Sequence, residues 1–277
     1  MANGNWVTGK IKVTLAGRPL EMQMTVPADP VKPHRMLPVF QQMTNSFVGM
    51  SVEAAEKEGK KVSCAAGCGA CCRQPVPLSE VEVYHVAEVV NEMPEPRKTF
   101  IRERFARGNA HFESIGWYQK VQDCRQIAEE GRHEEAARTL EKLVGVYFAE
   151  GIACPFLEDE SCSIHEVRPL ACREYLVSSP PANCSQPDPE TVTRIPIAIT
   201  PSKALKNIGT TGAFAQLGLL PMIRALDLAD KTPEHFVEKT GERWVADFFA
   251  MMAKTDIPKK GIRQKSSARV PRRKKRK

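Results

Sequence analysis

The chain has 277 residues, and its 40 Lys and Arg against 33 Asp and Glu give a formal net charge of +7. Eleven basic residues and no acidic one lie between Lys259 and Lys277, which leaves 29 basic against 33 acidic in a mildly acidic body. The headline charge therefore does not mark the body as a nucleic-acid-binding domain, and a hydrophobic content of 42% with 26% charged residues is that of a globular protein able to bury a core.

Residues 6–26 read as a β-hairpin. Val7, Ile11, Val13 and Leu15 alternate, as do Leu20, Met22, Met24 and Val26, around a turn at Ala16-Gly17-Arg18-Pro19. A Pro-rich linker, Ala28–Pro33, leads to a helical pattern from about His34 to Gly59 that carries Leu37, Phe40, Met43, Phe47 and Met50. Ser79 and Glu82 form a capping box for a helix running to about Met93. Beyond Pro94 and Pro96 the spacing predicts one long helix over 97–129 and another over 133–149. Residues 152–177 suggest two short strands and a helical turn, and Ser179–Pro201 is loop-rich. Two helices close the body, near 202–229 with a break at Pro221, and over 233–254 after a Thr232 cap. Strands and helices do not alternate regularly, which disfavours a Rossmann fold or a (β/α)8 barrel. The expected class is α+β: a mostly helical body with an N-terminal β-hairpin and an irregular cysteine-rich metal-binding centre. Its divisions are the hairpin at 1–30, the cysteine-cluster domain at 31–258 and a disordered basic tail at 259–277.

Nine cysteines are the informative number. No apolar run approaches the roughly 18 residues of a membrane span; Arg224 and Asp227 interrupt the best candidate, Leu217–Ala229. The opening residues lack the basic and apolar regions of a secretory signal, so a cytoplasmic protein with no membrane contact is expected. In a reducing compartment clustered cysteines hold metal or do redox chemistry more often than they form disulfides. The first group is Cys64-x3-Cys68-x2-Cys71-Cys72, and the second is Cys154-x7-Cys162-x9-Cys172 with Cys184 twelve residues on. Glycines at 67 and 69 let the first loop wrap an ion, and two separated groups meeting in space is how many zinc and iron–sulfur sites are assembled. Cys124 is set apart, because it lies at helical spacing with Trp117, Val121 and Ala128 and reads as core.

The run Cys64–Cys72, followed by Cys154-Pro-Phe-Leu and by Cys162-Ser-Ile-His165-Glu-Val-Arg168-Pro169-Leu-Ala-Cys172-Arg173, resembles the YkgJ-type cysteine-cluster proteins over about residues 60–185. Those proteins are described as zinc- or iron-chelating domains, and bacterial flagellin lysine methylases are similar to them. The resemblance implies a metal or iron–sulfur site on Cys64, Cys68, Cys71, Cys72, Cys154, Cys162 and Cys172, with Cys184 in a less diagnostic stretch.

The spacing leaves zinc and iron–sulfur open, since four thiolates on Zn2+ and a tetrathiolate [4Fe–4S]2+ cluster both sum to −2. Vicinal Cys71 and Cys72 favour the cluster, because two adjacent thiols serve different irons more readily than one small ion. Eight ligands suit two four-thiolate sites. The C-x3-C-x2-C pattern of radical S-adenosylmethionine enzymes is also present, but without their barrel or their aromatic residue at the position of Ala70, and that reading is rejected. His165 is expected to be a polar residue rather than a ligand. Arg73, Arg168 and Arg173 flank the cysteines and are expected to offset thiolate charge. No hydrolase signature, P-loop or dinucleotide motif is present. The function expected is metal binding, with an iron–sulfur cluster in a redox or cluster-dependent role. The alternatives are a zinc-binding structural module and a cluster-dependent protein-modifying enzyme resembling lysine methyltransferases. The basic tail offers weak electrostatic docking on nucleic acid or an acidic partner.

Overall fold

The computed structural model describes residues 5–15, 18–185, 187–188 and 190–255. Residues 16 and 17 of the first turn and the basic tail at 259–277 lie outside them. The class is α+β, a helical body with a hairpin at its N-terminal end. Strands β1 (Trp6–Leu15) and β2 (Arg18–Pro27) pair antiparallel, with Trp6 opposite Pro27 and Leu15 opposite Arg18. Met24 and Val26 are buried in the core. Thr8 and Thr25, directly opposite each other, join their hydroxyls at 2.9 Å.

The main core forms on α1 (Leu37–Lys57), whose Leu37, Phe40, Met43, Thr44 and Phe47 are buried at spacings of three and four residues. Phe40 stacks on Phe248 of the last helix with ring centroids 4.3 Å apart. Each such ring removed from water stabilises the fold by about 1.5–3 kcal/mol. Helix α2 (Glu80–Asn91) opens with the capping box read from the sequence: the Ser79 hydroxyl accepts from Glu82 N and the Glu82 carboxylate accepts from Ser79 N.

The long helix expected over 97–129 is two helices, α3 (Arg97–Ser114) and α4 (Trp117–Glu129), because Gly116 turns the chain at φ +67°. Glycine takes that left-handed conformation without a Cβ penalty. The reversal lets Phe112, Trp117 and Tyr147 of α5 (His133–Ala149) build a second core, with Phe112 on Tyr147 at 3.9 Å and Trp117 Nε1 donating to Leu143 O at 2.8 Å. Cys124 is buried in this second core, and its thiol donates to Ala136 O.

Residues 152–177 contain the two-residue strands β3 (Leu157–Glu158) and β4 (Ser161–Cys162) and the short helix α6 (Leu170–Glu174). The helix expected over 202–229 is replaced by α7 (Pro201–Leu205) and α8 (Ala225–Lys231). Between them, Gly209, Gly212 and Gly218 take positive φ. The chain there makes only short local turns and bonds to residues 76–78, through Leu78 N to Leu220 O and Met222 N to Val76 O. The final helix, α9 (Gly241–Thr255), starts eight residues later than expected. Val31 and Lys239 exchange both backbone hydrogen bonds and hold the chain extended up to that point. Thr240 then accepts from Arg243 N. Among the described residues no helix is long and apolar enough to cross a membrane.

Candidate metal centre

The first cysteine group sits on a loop that turns tightly and then coils. Cys68 N donates to Ala65 O, Gly67 takes φ +81°, and a 3-10 turn over Ala70–Arg73 carries Cys71 and Cys72. The second group is docked directly on this loop: Cys154 N donates to Cys72 O at 2.7 Å. From there the chain makes the β3–β4 hairpin, which brings Cys162 opposite Leu157. Gly69 lies against this hairpin so closely that a Cβ would meet Glu160 Oε2 at 2.5 Å and Leu157 Cδ1 at 2.6 Å. The two cysteine loops can approach because residue 69 has no side chain.

Cys172 is carried by α6, whose N-terminus is tied to α2. Glu82, fully buried, accepts from Leu170 N at 2.9 Å while its other oxygen takes Ser79 N and the Ser79 hydroxyl. Burial pushes this carboxyl up against the opposing pull of those hydrogen bonds. At the other end of α6, Glu174 accepts from Ser202 N and the Ser202 hydroxyl, and burial raises it to about 7. The segment after α6 returns to the first loop, where Val177 N donates to Cys64 Sγ at 3.4 Å and Ser63 N donates to Val177 O. Cys184, buried on a 3-10 turn over Pro181–Ser185, completes the set.

All eight cysteines named from the sequence thus come together, in two groups that share a member. Cys64, Cys68 and Cys184 are within electrostatic reach of one another on one side, and Cys154, Cys162 and Cys172 on the other. Cys71 is within reach of both groups, and its thiol is hydrogen-bonded to that of Cys72. The hydrogen bond to Cys72, followed by burial, raises Cys71. Burial pushes Cys154 up to about 12, raises Cys172 well above the ordinary thiol value, and raises Cys64, Cys162 and Cys184. Cys64 is exposed and Cys184 buried, so the centre opens to solvent on the Cys64 side.

The thiols are gathered without being converged: among the described residues no group of three or more His, Cys, Asp or Glu side chains forms a ready ligand set. The donor chemistry nonetheless fits a thiophilic metal. The centre offers eight sulfurs on loops and very short elements, and a cation would displace thiol protons that burial otherwise retains. His165 is exposed at the edge.

The three flanking arginines differ from one another. Arg73 clamps the loops, donating from Nη1 and Nη2 to Glu160 at 3.0 and 2.7 Å and from Nη1 to Gly69 O at 3.1 Å, with Cys72 in electrostatic reach. Arg173 is buried and bonded through all three guanidinium nitrogens, to Arg168 O, Asn45 Oδ1 and Glu166 O. Arg168 reaches Cys64, Cys71, Cys162 and Cys172 electrostatically. Sequence reasoning missed the anchoring of α6 by Glu82 and Glu174, and also Gln41, whose side-chain amide donates to Val167 O and Arg168 O. The capping-box motif was the only signal that pointed at any of these, and it accounts for half of what Glu82 does.

An irregular loop assembly stapled between helices, with eight cysteines and little regular structure of its own, defines a cysteine-rich metal-binding domain. Residues 63–188 match the family model described as "Putative zinc- or iron-chelating domain", and over that span the chain is similar to this cysteine-cluster family. No curated protein and no solved structure matches the chain.

Proposed function

We propose that the chain holds an iron–sulfur centre on Cys64, Cys68, Cys71, Cys72, Cys154, Cys162, Cys172 and Cys184 and serves a redox or cluster-dependent role. One observation carries the reading: eight sulfur donors lie in two groups that meet at the vicinal pair Cys71–Cys72. A single tetrahedral ion uses four donors and would leave four thiols without purpose. Two four-thiolate centres would use them all, Cys64, Cys68 and Cys184 on one side, Cys154, Cys162 and Cys172 on the other, with Cys71 and Cys72 completing the sets. Such a centre supplies one-electron transfer when loaded. The chain's own part is to hold its donors between α2, α6 and the hairpin β3–β4, and to leave the Cys64 edge open to a partner.

The shortness of the elements around the centre favours a second reading, a structural zinc module. Two-residue strands and a five-residue helix do not hold themselves together, and metal ligation contributes folding energy directly. Anaerobic purification with an absorption spectrum and analysis for iron, zinc and acid-labile sulfide separates the two. Iron with matching sulfide and a chromophore bleached on reduction is the expected result. A colourless chain with stoichiometric zinc and no sulfide transfers the conclusion to the zinc module, and a chain that retains neither metal overturns both.

A further inference from the structure

Four arginines lie beside the cysteines, and three of them are already engaged, Arg104 with Cys154 O and the face of the Phe100 ring. The Arg73 guanidinium is spent on Glu160 and Gly69 O. Arg173 is held by Asn45 and by the carbonyls of Arg168 and Glu166, which makes it a fastener of the 166–173 segment. Arg168 is different. Its backbone is pinned, because its carbonyl accepts from Gln41 Nε2 at 3.3 Å and from Arg173 Nε at 3.0 Å, and Pro169 follows it. Its side chain is not: Nε is buried and has no hydrogen-bond partner. A buried guanidinium N–H left unpaired destabilises the fold, and a cation half out of water is retained only where an anion compensates it. Around it lie the sulfurs of both groups, with Cys64 and Cys71 from the first loop and Cys162 and Cys172 from the second in electrostatic reach. A metal-loaded centre of four cysteinates carries a charge of −2 with either zinc or a [4Fe–4S]2+ cluster, and it is the anion this geometry lacks.

We infer that Arg168 is the counter-cation of the metal-loaded cysteine centre, a positioning and charge-compensating residue whose unpaired guanidinium Nε is reserved for cysteinate or sulfide sulfur. The inference rests on the reading that the cysteines hold metal, and it assigns to Arg168 alone a role that the sequence spreads over three arginines. A positive charge beside the centre stabilises its more negative forms. Loss of Arg168 therefore weakens metal retention, and for a cluster it also lowers the reduction potential, because the reduced state gains most from the cation.

The test compares wild type, Arg168→Gln and Arg168→Lys, purified alike without oxygen. It reads metal and sulfide content, metal loss to a competing chelator, the potential of any cluster by dye-coupled titration, and thermal stability. Glutamine is expected to speed metal loss and weaken retention 10- to 100-fold, the range for partners that support a ligand shell. It is also expected to shift any cluster potential in the negative direction, with lysine recovering part of both effects because it restores the charge. Wild type that holds metal beside an Arg168→Gln variant with equal retention and equal potential overturns the inference and leaves the metal reading standing. Equal losses in the lysine and glutamine variants, tracking an equal fall in thermal stability, reduce Arg168 to a packing residue and also overturn it. Wild type without iron or zinc overturns the metal reading, and the inference falls with it.

Discussion

Arg73 donates from both terminal nitrogens to the carboxylate of Glu160, which stands in the left-handed region at φ +56° at the tip of the β3–β4 hairpin. Asp159 before it is at φ +46°, so a two-residue turn that glycine and asparagine ordinarily fill is made here by two acidic residues. The ion pair spans the gap between the two cysteine loops, and the strained residue is the one that supplies its carboxylate.

Backbone and bridge act in opposite directions at this position, so two substitutions should rank predictably. Glu160→Ala removes the bridge and keeps a side chain at positive φ. Glu160→Gly removes the bridge but relieves a conformation that costs a non-glycine residue about 1–2 kcal/mol. The bridge is partly exposed, with side chains 31% and 51% accessible, so solvent screening keeps its own contribution small. The alanine variant is therefore expected to be the least stable of the three proteins, with the glycine variant close to wild type. Chemical denaturation orders them, and a glycine variant less stable than the alanine variant would contradict the turn geometry.

The assignment of the centre is tested by cysteine. Cys68→Ser and Cys154→Ser each remove a sulfur from a different group and are expected to lose bound metal. Cys124→Ala should keep it, because Cys124 is buried between α4 and α5 in a core of its own. That variant should be less stable, since a buried thiol that donates to Ala136 O is replaced by a smaller methyl. Metal analysis of the three purified variants decides the matter; equal metal content in all of them would defeat the assignment.

What the sequence revealed here depended on whether the signal was local. The capping box at Ser79, the alternation in the hairpin and the α1 stripe all involve residues within a few positions of one another, and each led to the element found. Gly116 was as visible as any of these, yet its effect depended on a second core forming across it, with Phe112 stacked on Tyr147, and periodicity within one segment carries no trace of that contact. The failure over 202–229 has the same origin: residues 220–222 bond to residues 76–78, a non-local pairing that overrides helical spacing. The cysteines were legible because ligand chemistry restricts the residue type. The anchors of α6 were not, because glutamate and serine are used everywhere.

Glu82 is the anchor whose removal should be felt most. Its two oxygens take three donors, Ser79 N, the Ser79 hydroxyl and Leu170 N, in a fully buried position. Glutamine at this position keeps the shape but turns one oxygen into a donor that faces another donor. Such a buried mismatch costs about 1–3 kcal/mol. Glu82→Gln is expected to lower thermal stability by that amount and, because α6 carries Cys172, to reduce metal retention as well. Unchanged stability would mean that α2 and α6 are held together by packing alone.

The last prediction concerns acid. His85 on α2 is mostly buried, its Nε2 has no partner, and burial pushes it down to about 4. The groups that face it are Glu88, whose Oε2 is 4.0 Å from Nδ1 and which opposes the depression, together with His34 and Arg35, which add to it. A histidine whose folded value lies below its unfolded value contributes stability that is complete above about pH 6.5. That stability is lost as pH falls toward 4, because over this window the unfolded chain binds the proton and the folded one does not. The full effect is about 3 kcal/mol, of which about 2 kcal/mol falls between pH 6.5 and 5. A variant that cannot titrate, His85→Gln, should show a shallower fall in denaturant midpoint over that interval, with Glu88, His34 and Arg35 left in place. If the two proteins lose stability in parallel between pH 6.5 and 5, His85 is solvated enough to take its proton in the folded state, and the acid sensitivity of the chain lies elsewhere.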